Sequence, residues 1–107
     1  MSHCFATQAI HAGYDSTTNA DAVLPPIYAS AAFNLENARR GDALAAGDIE
    51  GFEYSRVANP TVDALERRLA ALEGGVGAVA VGSGMAAVSY ALMCAGEGGG
   101  RIIAPTN

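Results

Sequence analysis

The clearest hydrophobic pattern in the chain lies between Asn59 and Gly74. Asn59 and Pro60 match a helix N-cap followed by a residue whose missing N–H costs nothing, and Gly74 is typical of a helix end. The pattern predicts a helix over residues 60–73 with one buried stripe, because four apolar residues recur there at the spacing of one helix face. The stripe consists of Val62, Leu65, Leu69 and Leu72.

Two short apolar runs follow this helix and enclose a second helical segment. The runs at 76–82 and 101–104 are too apolar for half-exposed strands, so we expect parallel strands inside a sheet. The alanine-rich stretch 85–95, which ends before Gly96, predicts a second helix. This alternation is typical of an α/β fold, here the start of a mostly parallel sheet with flanking helices.

Residues 1–58 show no sustained hydrophobic period and are rich in Ala, Asn, Asp and Gly. We interpret them as a loop-like, extended N-terminal arm. The chain therefore divides into an arm at 1–58 and the start of an α/β domain at 59–107. We expect the whole to be the N-terminal part of a longer subunit, with the domain incomplete.

The tripeptide Ser83-Gly84-Met85 joins the first predicted strand to the second predicted helix. The first N–H groups of a helix lack partners and carry partial positive charge, and a glycine lets an anion approach them closely. A phosphate suits such a turn, although the same residues also fit an ordinary tight turn. Tyr54 and Arg56 bring a phenol and a guanidinium, which bind phosphate well; taken alone, they also fit a half-buried aromatic and a surface charge.

Two other interpretations belong to different classes. Residues 82–87 fit the dinucleotide pattern G-x-G-x-x-G/A after a strand and at a helix start. That pattern needs an acidic residue about 20 positions further on, and residues 102–107 contain none. An NAD-binding Rossmann domain is therefore the remote alternative. The other alternative is a non-catalytic fragment or oligomerisation module, since the chain contains no lysine.

Composition narrows the expected partners. The 107 residues carry a formal net charge of −5 with six basic residues, all of them arginine, so we expect neither nucleic acid nor membrane partners. No apolar run approaches the ~20 residues that span a bilayer, and residues 1–4 lack the features of a secretory signal. We expect a cytoplasmic protein with free thiols at Cys4 and Cys94. His3 and His11 have no second metal ligand at suitable spacing, so we expect no metal site.

Six short motifs, taken in order, resemble the opening of the Cys/Met-metabolism family of pyridoxal-phosphate enzymes. This family includes O-acetylhomoserine sulfhydrylase, cystathionine γ-synthase and methionine γ-lyase. Each motif alone is common, whereas the ordered set is specific and covers nearly the whole chain. The motifs are His11-Ala12-Gly13, Leu24-Pro25-Pro26-Ile27-Tyr28, Tyr54-Ser55-Arg56, Asn59-Pro60-Thr61, Leu69-Ala70-Ala71-Leu72-Glu73-Gly74-Gly75 and Ser83-Gly84-Met85.

The resemblance implies a fold type I transferase-like large domain, truncated here, with pyridoxal 5'-phosphate as cofactor. It also implies that Gly84 and Met85, together with Ser83, bind the cofactor phosphate through the helix start. Tyr54 and Arg56 are implied to reach the same phosphate from a neighbouring subunit. The lysine that forms the Schiff base is implied to lie beyond the sequence, so no catalytic residue is expected in this chain, which by itself should be inactive.

The resemblance further implies a transferase of methionine biosynthesis that replaces a γ-substituent. The stretch 34–52 resembles the spacer of the O-acetylhomoserine branch, which favours a sulfhydrylase that takes an amino-acid substrate and a sulfide or thiol co-substrate. Methionine γ-lyase and cystathionine γ-synthase or lyase remain alternatives. The implied assembly is a homotetramer, a dimer of dimers in which the arm at 1–58 packs on other subunits and sites are shared.

Overall fold

The computed structural model describes residues 4–105, which fold into four α-helices and one 3-10 turn. No helix in this range is long and apolar enough to cross a membrane. The predictions made for residues 1–3 and for residues 106–107 lie outside the described residues. The elements in chain order are α1 (Phe5–His11), the 3-10 turn (Ser16–Thr18), α2 (Ala38–Ala46), α3 (Pro60–Glu73) and α4 (Gly84–Ala95).

Helix α3 begins and ends at the predicted residues. The Asn59 side chain accepts a hydrogen bond from the Thr61 N–H at 2.9 Å, and Pro60 occupies the first helical position. At the other end Gly74 adopts φ +65°, the left-handed conformation that closes many helices. The prediction over 60–73 is confirmed because both ends are set by local capping chemistry.

Helix α4 is also confirmed, with its start one residue earlier than predicted. The Ser83 hydroxyl oxygen accepts a hydrogen bond from the Ala86 N–H at 3.2 Å and so caps the helix. Gly84 is the first helical residue, and Gly96 follows the last. Ser83 therefore has a structural role at the turn that composition alone did not reveal.

The predicted arm contains regular structure, so its description as loop-like is wrong for two segments, α1 and α2. In α2 the Asn37 side chain accepts from the Arg40 N–H at 3.0 Å, and Gly47 closes the helix at φ +76°. These are the same capping signals that mark α3. The role of the arm between subunits stays a prediction.

Among the helices of residues 4–105, α1 and α3 are the two that contact each other. Gly13, at φ +75°, lies very close to α3. A Cβ at this position would lie 2.6 Å from the backbone nitrogen of Arg68 and 2.8 Å from the backbone oxygen of Ala64. The Arg68 Nε also donates to the Ala12 carbonyl at 2.9 Å. This contact buries Ala64, which is 8% exposed.

The predicted buried stripe of α3 is wrong for this structure. Val62, Leu65 and Leu69 are 39%, 50% and 43% exposed, and Leu72 is half-buried. The helix instead packs its Ala64 face against the chain around Gly13. Periodicity defines an apolar face correctly, but burial also requires a surface that covers it.

The predicted strands at 76–82 and 101–104 are not formed among residues 4–105, where the sheet-like pairing is one antiparallel bridge between Ala32 and Tyr54. A strand exists only where a neighbour completes its hydrogen-bond ladder, and these two segments do not pair. Their side chains are accordingly exposed, as at Val79 and Ile103. The parallel sheet of the α/β class stays a prediction.

Candidate functional site

Tyr54 and Arg56 lie side by side on the surface. The Arg56 Cζ sits 5.1 Å from the centroid of the Tyr54 ring, a cation–π arrangement. Both residues are exposed, and none of the hydrogen bonds or ion pairs formed within residues 4–105 uses the Tyr54 hydroxyl or the Arg56 guanidinium. The structure therefore presents a phenol and a guanidinium together with their donors available.

The segment that carries this pair is fixed to an upstream segment. The Phe33 N–H donates to the Glu53 carbonyl and the Ser55 N–H donates to the Ala31 carbonyl, both at 2.9 Å. Between these two bonds, Ala32 and Tyr54 form the antiparallel bridge. The main chain on both sides of Tyr54 is therefore held by an opposing strand-like segment.

Residues 34–52 form an excursion that leaves and rejoins this paired segment. Helix α2 lies within it, and the rings of Phe33 and Phe52 meet at its base with centroids 5.6 Å apart. A cleft of about 410 Å³ opens at the same base, where Phe33 and Leu35 face Tyr54 and Arg56. The spacer that sequence analysis singled out therefore adjoins the phenol–guanidinium pair.

The start of α4 forms the second candidate group. None of the hydrogen bonds within residues 4–105 uses the N–H groups of Gly84 or Met85, as expected for the first positions of a helix. A Cβ built on Gly84 would meet nothing within 4 Å, so the turn is open. The Ser83 hydroxyl accepts from Ala86 and keeps its own proton available to donate. Three donors are thus clustered at this helix end.

The two groups of donors are held by different hydrogen bonds of the described chain. No hydrogen bond among residues 4–105 joins the Tyr54–Arg56 segment to Ser83, Gly84 or Met85. Helix α4 contacts none of the other helices in that range. Each group is therefore positioned by its own local structure.

Hydrogen bonds join the motif Leu24-Pro25-Pro26-Ile27-Tyr28 to the motif Asn59-Pro60-Thr61. The Thr61 hydroxyl donates to the Pro26 carbonyl at 3.0 Å and accepts from the Tyr28 N–H at 2.9 Å. The motif that contains Gly13 likewise contacts α3 closely. These residues support the segments that carry the donors, and nothing in the local sequence pattern could have shown those long-range partners.

A larger cleft of about 510 Å³ lies between the arm and α3 and was not predicted from the sequence. It is lined by Tyr14, Asp15 and Tyr28 among others. Hydrogen bonds from the Thr17 hydroxyl and N–H hold the pKa of Asp15 below its usual value. Burial raises the pKa of Tyr14, whose hydroxyl donates to the Ala22 carbonyl at 2.7 Å. Tyr14 and Asp15 therefore have hydrogen-bond partners within the protein, and the cleft does not require a ligand to satisfy them.

The described part of the chain contains no group of three residues that could hold a metal ion. Cys4 and Cys94 are both exposed and free. The candidate groups suit anion binding, since each of them can donate a hydrogen bond and the Arg56 guanidinium carries a permanent positive charge.

Comparison with known proteins identifies relatives of nearly the whole chain. A family model described as Cys/Met metabolism PLP-dependent enzyme matches residues 6–107. An L-methionine gamma-lyase from Pseudomonas putida is 46% identical over 88 residues, which are 82% of this chain and 22% of that protein. An O-acetyl-L-homoserine sulfhydrylase from Corynebacterium glutamicum is 43% identical over 99 residues, which are 92% of this chain and 23% of that protein.

A crystal structure described as an O-acetylhomoserine (thiol)-lyase from Campylobacter jejuni also matches, with a TM-score of 0.79 and 40% identity. The match covers 86% of this chain and 22% of that one, and the crystallised protein carries an N'-pyridoxyl-lysine-5'-monophosphate. The chain thus spans about a fifth of the length of the relatives it matches.

Proposed function

Because this chain belongs to the family of Cys/Met-metabolism PLP-dependent enzymes, we propose that it supplies the phosphate-binding parts of an enzyme acting on a γ-substituted amino acid. Pyridoxal 5'-phosphate is the cofactor indicated by the family and by the pyridoxyl-lysine phosphate of the structural neighbour. When bound, this cofactor supplies a conjugated ring that accepts electrons from the substrate. The chain's own part is to hold the phosphate.

The available donors fit a phosphate group. Arg56 offers a planar fork of N–H donors that matches two phosphate oxygens, and the Tyr54 hydroxyl adds one more hydrogen bond. At α4, the free N–H groups of Gly84 and Met85 point out of a helix N-terminus with partial positive charge. Ser83 can donate its hydroxyl proton to the same anion. The cation–π pair of Tyr54 and Arg56, with its unused donors, is the observation that carries the proposal.

We propose further that the two groups meet across a subunit boundary. In this arrangement the 1–58 arm presents Tyr54 and Arg56 to the α4 turn of a neighbouring subunit, and it is supported by the lack of any hydrogen bond between the two groups within residues 4–105. The expected assembly is a homo-oligomer, a dimer of dimers with shared sites. Free, exposed thiols at Cys4 and Cys94 also suit a reducing cytoplasm.

A hybrid dimer tests the shared site through cofactor content. One subunit carries Arg56→Ala and the other carries Gly84→Val, and each homodimer should bind cofactor poorly. In the hybrid, one site combines the intact Gly84 with the intact Arg56 of the other subunit, so we expect one bound cofactor per dimer. Hybrids that bind as little as the parent variants would show that Arg56 and Gly84 act within one subunit or not at all.

For the reaction, we propose O-acetylhomoserine sulfhydrylase activity. Acetate leaves the substrate's γ carbon and the sulfur of hydrosulfide bonds to that carbon, which gives homocysteine. Relatives named sulfhydrylase or homocysteine/cysteine synthase support this proposal, since they align over 92–96% of the chain against 79–82% for the lyases. Methionine γ-lyase is the second candidate, supported by the 46% identity to the Pseudomonas putida lyase.

The protein expressed from its complete gene decides between these activities. With O-acetylhomoserine and sulfide, a sulfhydrylase releases homocysteine and acetate in equal amounts. With methionine alone, a lyase releases 2-oxobutanoate, methanethiol and ammonia. For the Arg56→Ala variant, the control for loss of an arginine is Arg40→Ala, because Arg40 on α2 pairs at the surface with Glu36, which precedes that helix. Cofactor binding without either product would refute both substrate assignments and leave the family assignment intact.

A further inference from the structure

Asn59 is one of two buried residues in the described chain and the polar one of the two, at 7% exposed. Its Nδ2 donates to the Tyr28 carbonyl at 2.9 Å and to the Ser55 hydroxyl oxygen at 2.8 Å. Its Oδ1 accepts from the Thr61 N–H at 2.9 Å. The orientation of the amide is fixed, because a backbone N–H can only donate and a carbonyl can only accept. One side chain therefore caps α3 and also binds two segments that precede it.

Ser55 connects this network to the phenol–guanidinium pair, since it lies between Tyr54 and Arg56 in the chain. Its hydroxyl accepts from Asn59 and donates to the Ser30 carbonyl, and its N–H donates to the Ala31 carbonyl. Ser55 is thus held by three hydrogen bonds. By contrast, the side chains of Tyr54 and Arg56 contact each other and make no hydrogen bond within the described chain.

We propose that Asn59 is a positioning residue for Tyr54 and Arg56 and acts through Ser55, an inference that rests on the proposed phosphate-binding function. A long arginine side chain loses much rotamer freedom when it binds an anion. Binding also requires an ordered main chain, and a main chain already fixed at Ser55 removes that part of the cost before the anion binds. Helix capping accounts for only one of the three hydrogen bonds that Asn59 makes.

Replacement by serine separates positioning from capping. Serine caps helices about as well as asparagine, but its short hydroxyl cannot reach the Tyr28 carbonyl and Ser55 while it accepts from Thr61. Asn59→Ser therefore keeps the cap and removes both donated bonds without adding charge. Asn37→Ser is the matched control, since Asn37 caps α2 through its side-chain oxygen in the same way and makes no bond to the Tyr54–Arg56 segment.

The experiment measures the dissociation constant of pyridoxal phosphate for the full protein, and the ³¹P resonance of the bound phosphate. We expect Asn59→Ser to weaken binding on the order of tenfold and to shift the ³¹P resonance. Asn37→Ser should leave both unchanged. Unchanged affinity in Asn59→Ser, or an equal loss in both variants, would overturn the positioning role.

A double-mutant comparison tests whether the effect passes through the pair. In a Tyr54→Phe/Arg56→Ala background, Asn59→Ser should cost less than about twofold in further affinity, because its target is already gone. The same tenfold loss in both backgrounds would mean that Asn59 acts on the fold in general, and the proposal would fail. Unchanged affinity in Arg56→Ala by itself would overturn the proposed function, and this inference with it, so the two failures are distinguishable.

Ser55→Ala decides the question if Asn59→Ser does not fold. It leaves the bond from Thr61 to Asn59 in place and removes both bonds of the Ser55 hydroxyl, the one from Asn59 and the one to the Ser30 carbonyl. We expect a several-fold loss of cofactor affinity with little change in the thermal midpoint of the cofactor-free protein. A lowered midpoint with unchanged affinity would assign the network to stability alone and overturn the proposal.

Discussion

Gly13 offers the most direct test of the packing between the arm and α3. Its backbone adopts φ +75°, and a Cβ added there would lie 2.6 Å from the Arg68 nitrogen, 2.8 Å from the Ala64 oxygen and 2.9 Å from the Arg67 Cβ. Two of these neighbours are backbone atoms of a helix and cannot move independently. Gly13→Ala should therefore push α1 and α3 apart.

The expected cost has two parts. A left-handed backbone costs a residue with a Cβ roughly 1–2 kcal/mol, and forcing atoms into a packed contact costs about 1–3 kcal/mol more. We expect Gly13→Ala to lower the free energy of opening of the α1–α3 contact by roughly 2–5 kcal/mol. Gly47→Ala is the control, because Gly47 has φ +76° and a Cβ added there would meet nothing within 4 Å. This substitution should destabilise α2 only by the cost of the left-handed backbone, without a steric cost.

Hydrogen exchange of the helix amides measures both changes. The amides of α1 should lose protection in Gly13→Ala, and those near the end of α2 should lose less in Gly47→Ala. Equal losses in the two variants would show that the close approach of Gly13 to α3 contributes nothing, and the steric argument would be refuted.

Three further predictions concern the donors and one exposed carboxylate. Gly84→Val should reduce the amount of cofactor bound per subunit in the purified protein, and Gly82→Val should not. A Cβ at either position would meet nothing within 4 Å, so a loss confined to Gly84→Val would locate the phosphate at the start of α4. Arg56→Ala should weaken cofactor binding on the order of ten- to a hundredfold and Tyr54→Phe less, by equilibrium dialysis; a larger effect of Tyr54→Phe would contradict the role of charge. Because folding lowers the pKa of Asp15, its carboxylate stabilises the folded state at pH values above the unfolded-state pKa of about 3.9. This stabilisation is lost as the pH falls through the lower pKa of the folded state. Amide resonances of the 3-10 turn should therefore change below about pH 4 and lose that dependence in Asp15→Asn.

The helices that the sequence predicted correctly are those with strong local signals. Asn59, Pro60 and Gly74 delimit α3, and Gly96 ends α4, because capping depends on residues a few positions apart. Helix α2 has equivalent caps, but Leu44 is the one large apolar side chain among its nine residues, so no hydrophobic period marked it. Helix α1 has seven residues, too few to establish a period.

Burial and pairing were predicted less well because they depend on distant surfaces. The stripe around Leu65 is periodic yet exposed, and the segment around Val79 is apolar yet unpaired. The candidate site shows the same division: the sequence indicated which residue types can bind phosphate, at Tyr54 and Arg56. It could not indicate that a buried Asn59 holds their segment, because its bond to the Tyr28 carbonyl spans 31 positions.

The closed base of the 34–52 excursion has a consequence for how this chain can vary. Bonds on either side of Tyr54, together with the Phe33–Phe52 contact, fasten both ends of the excursion to the same place. A loop closed in this way can change length cheaply, since doubling it costs only about 0.6 kcal/mol of closure entropy. We therefore expect that the excursion can be lengthened or shortened without displacing Tyr54 and Arg56, the residues proposed to bind the phosphate.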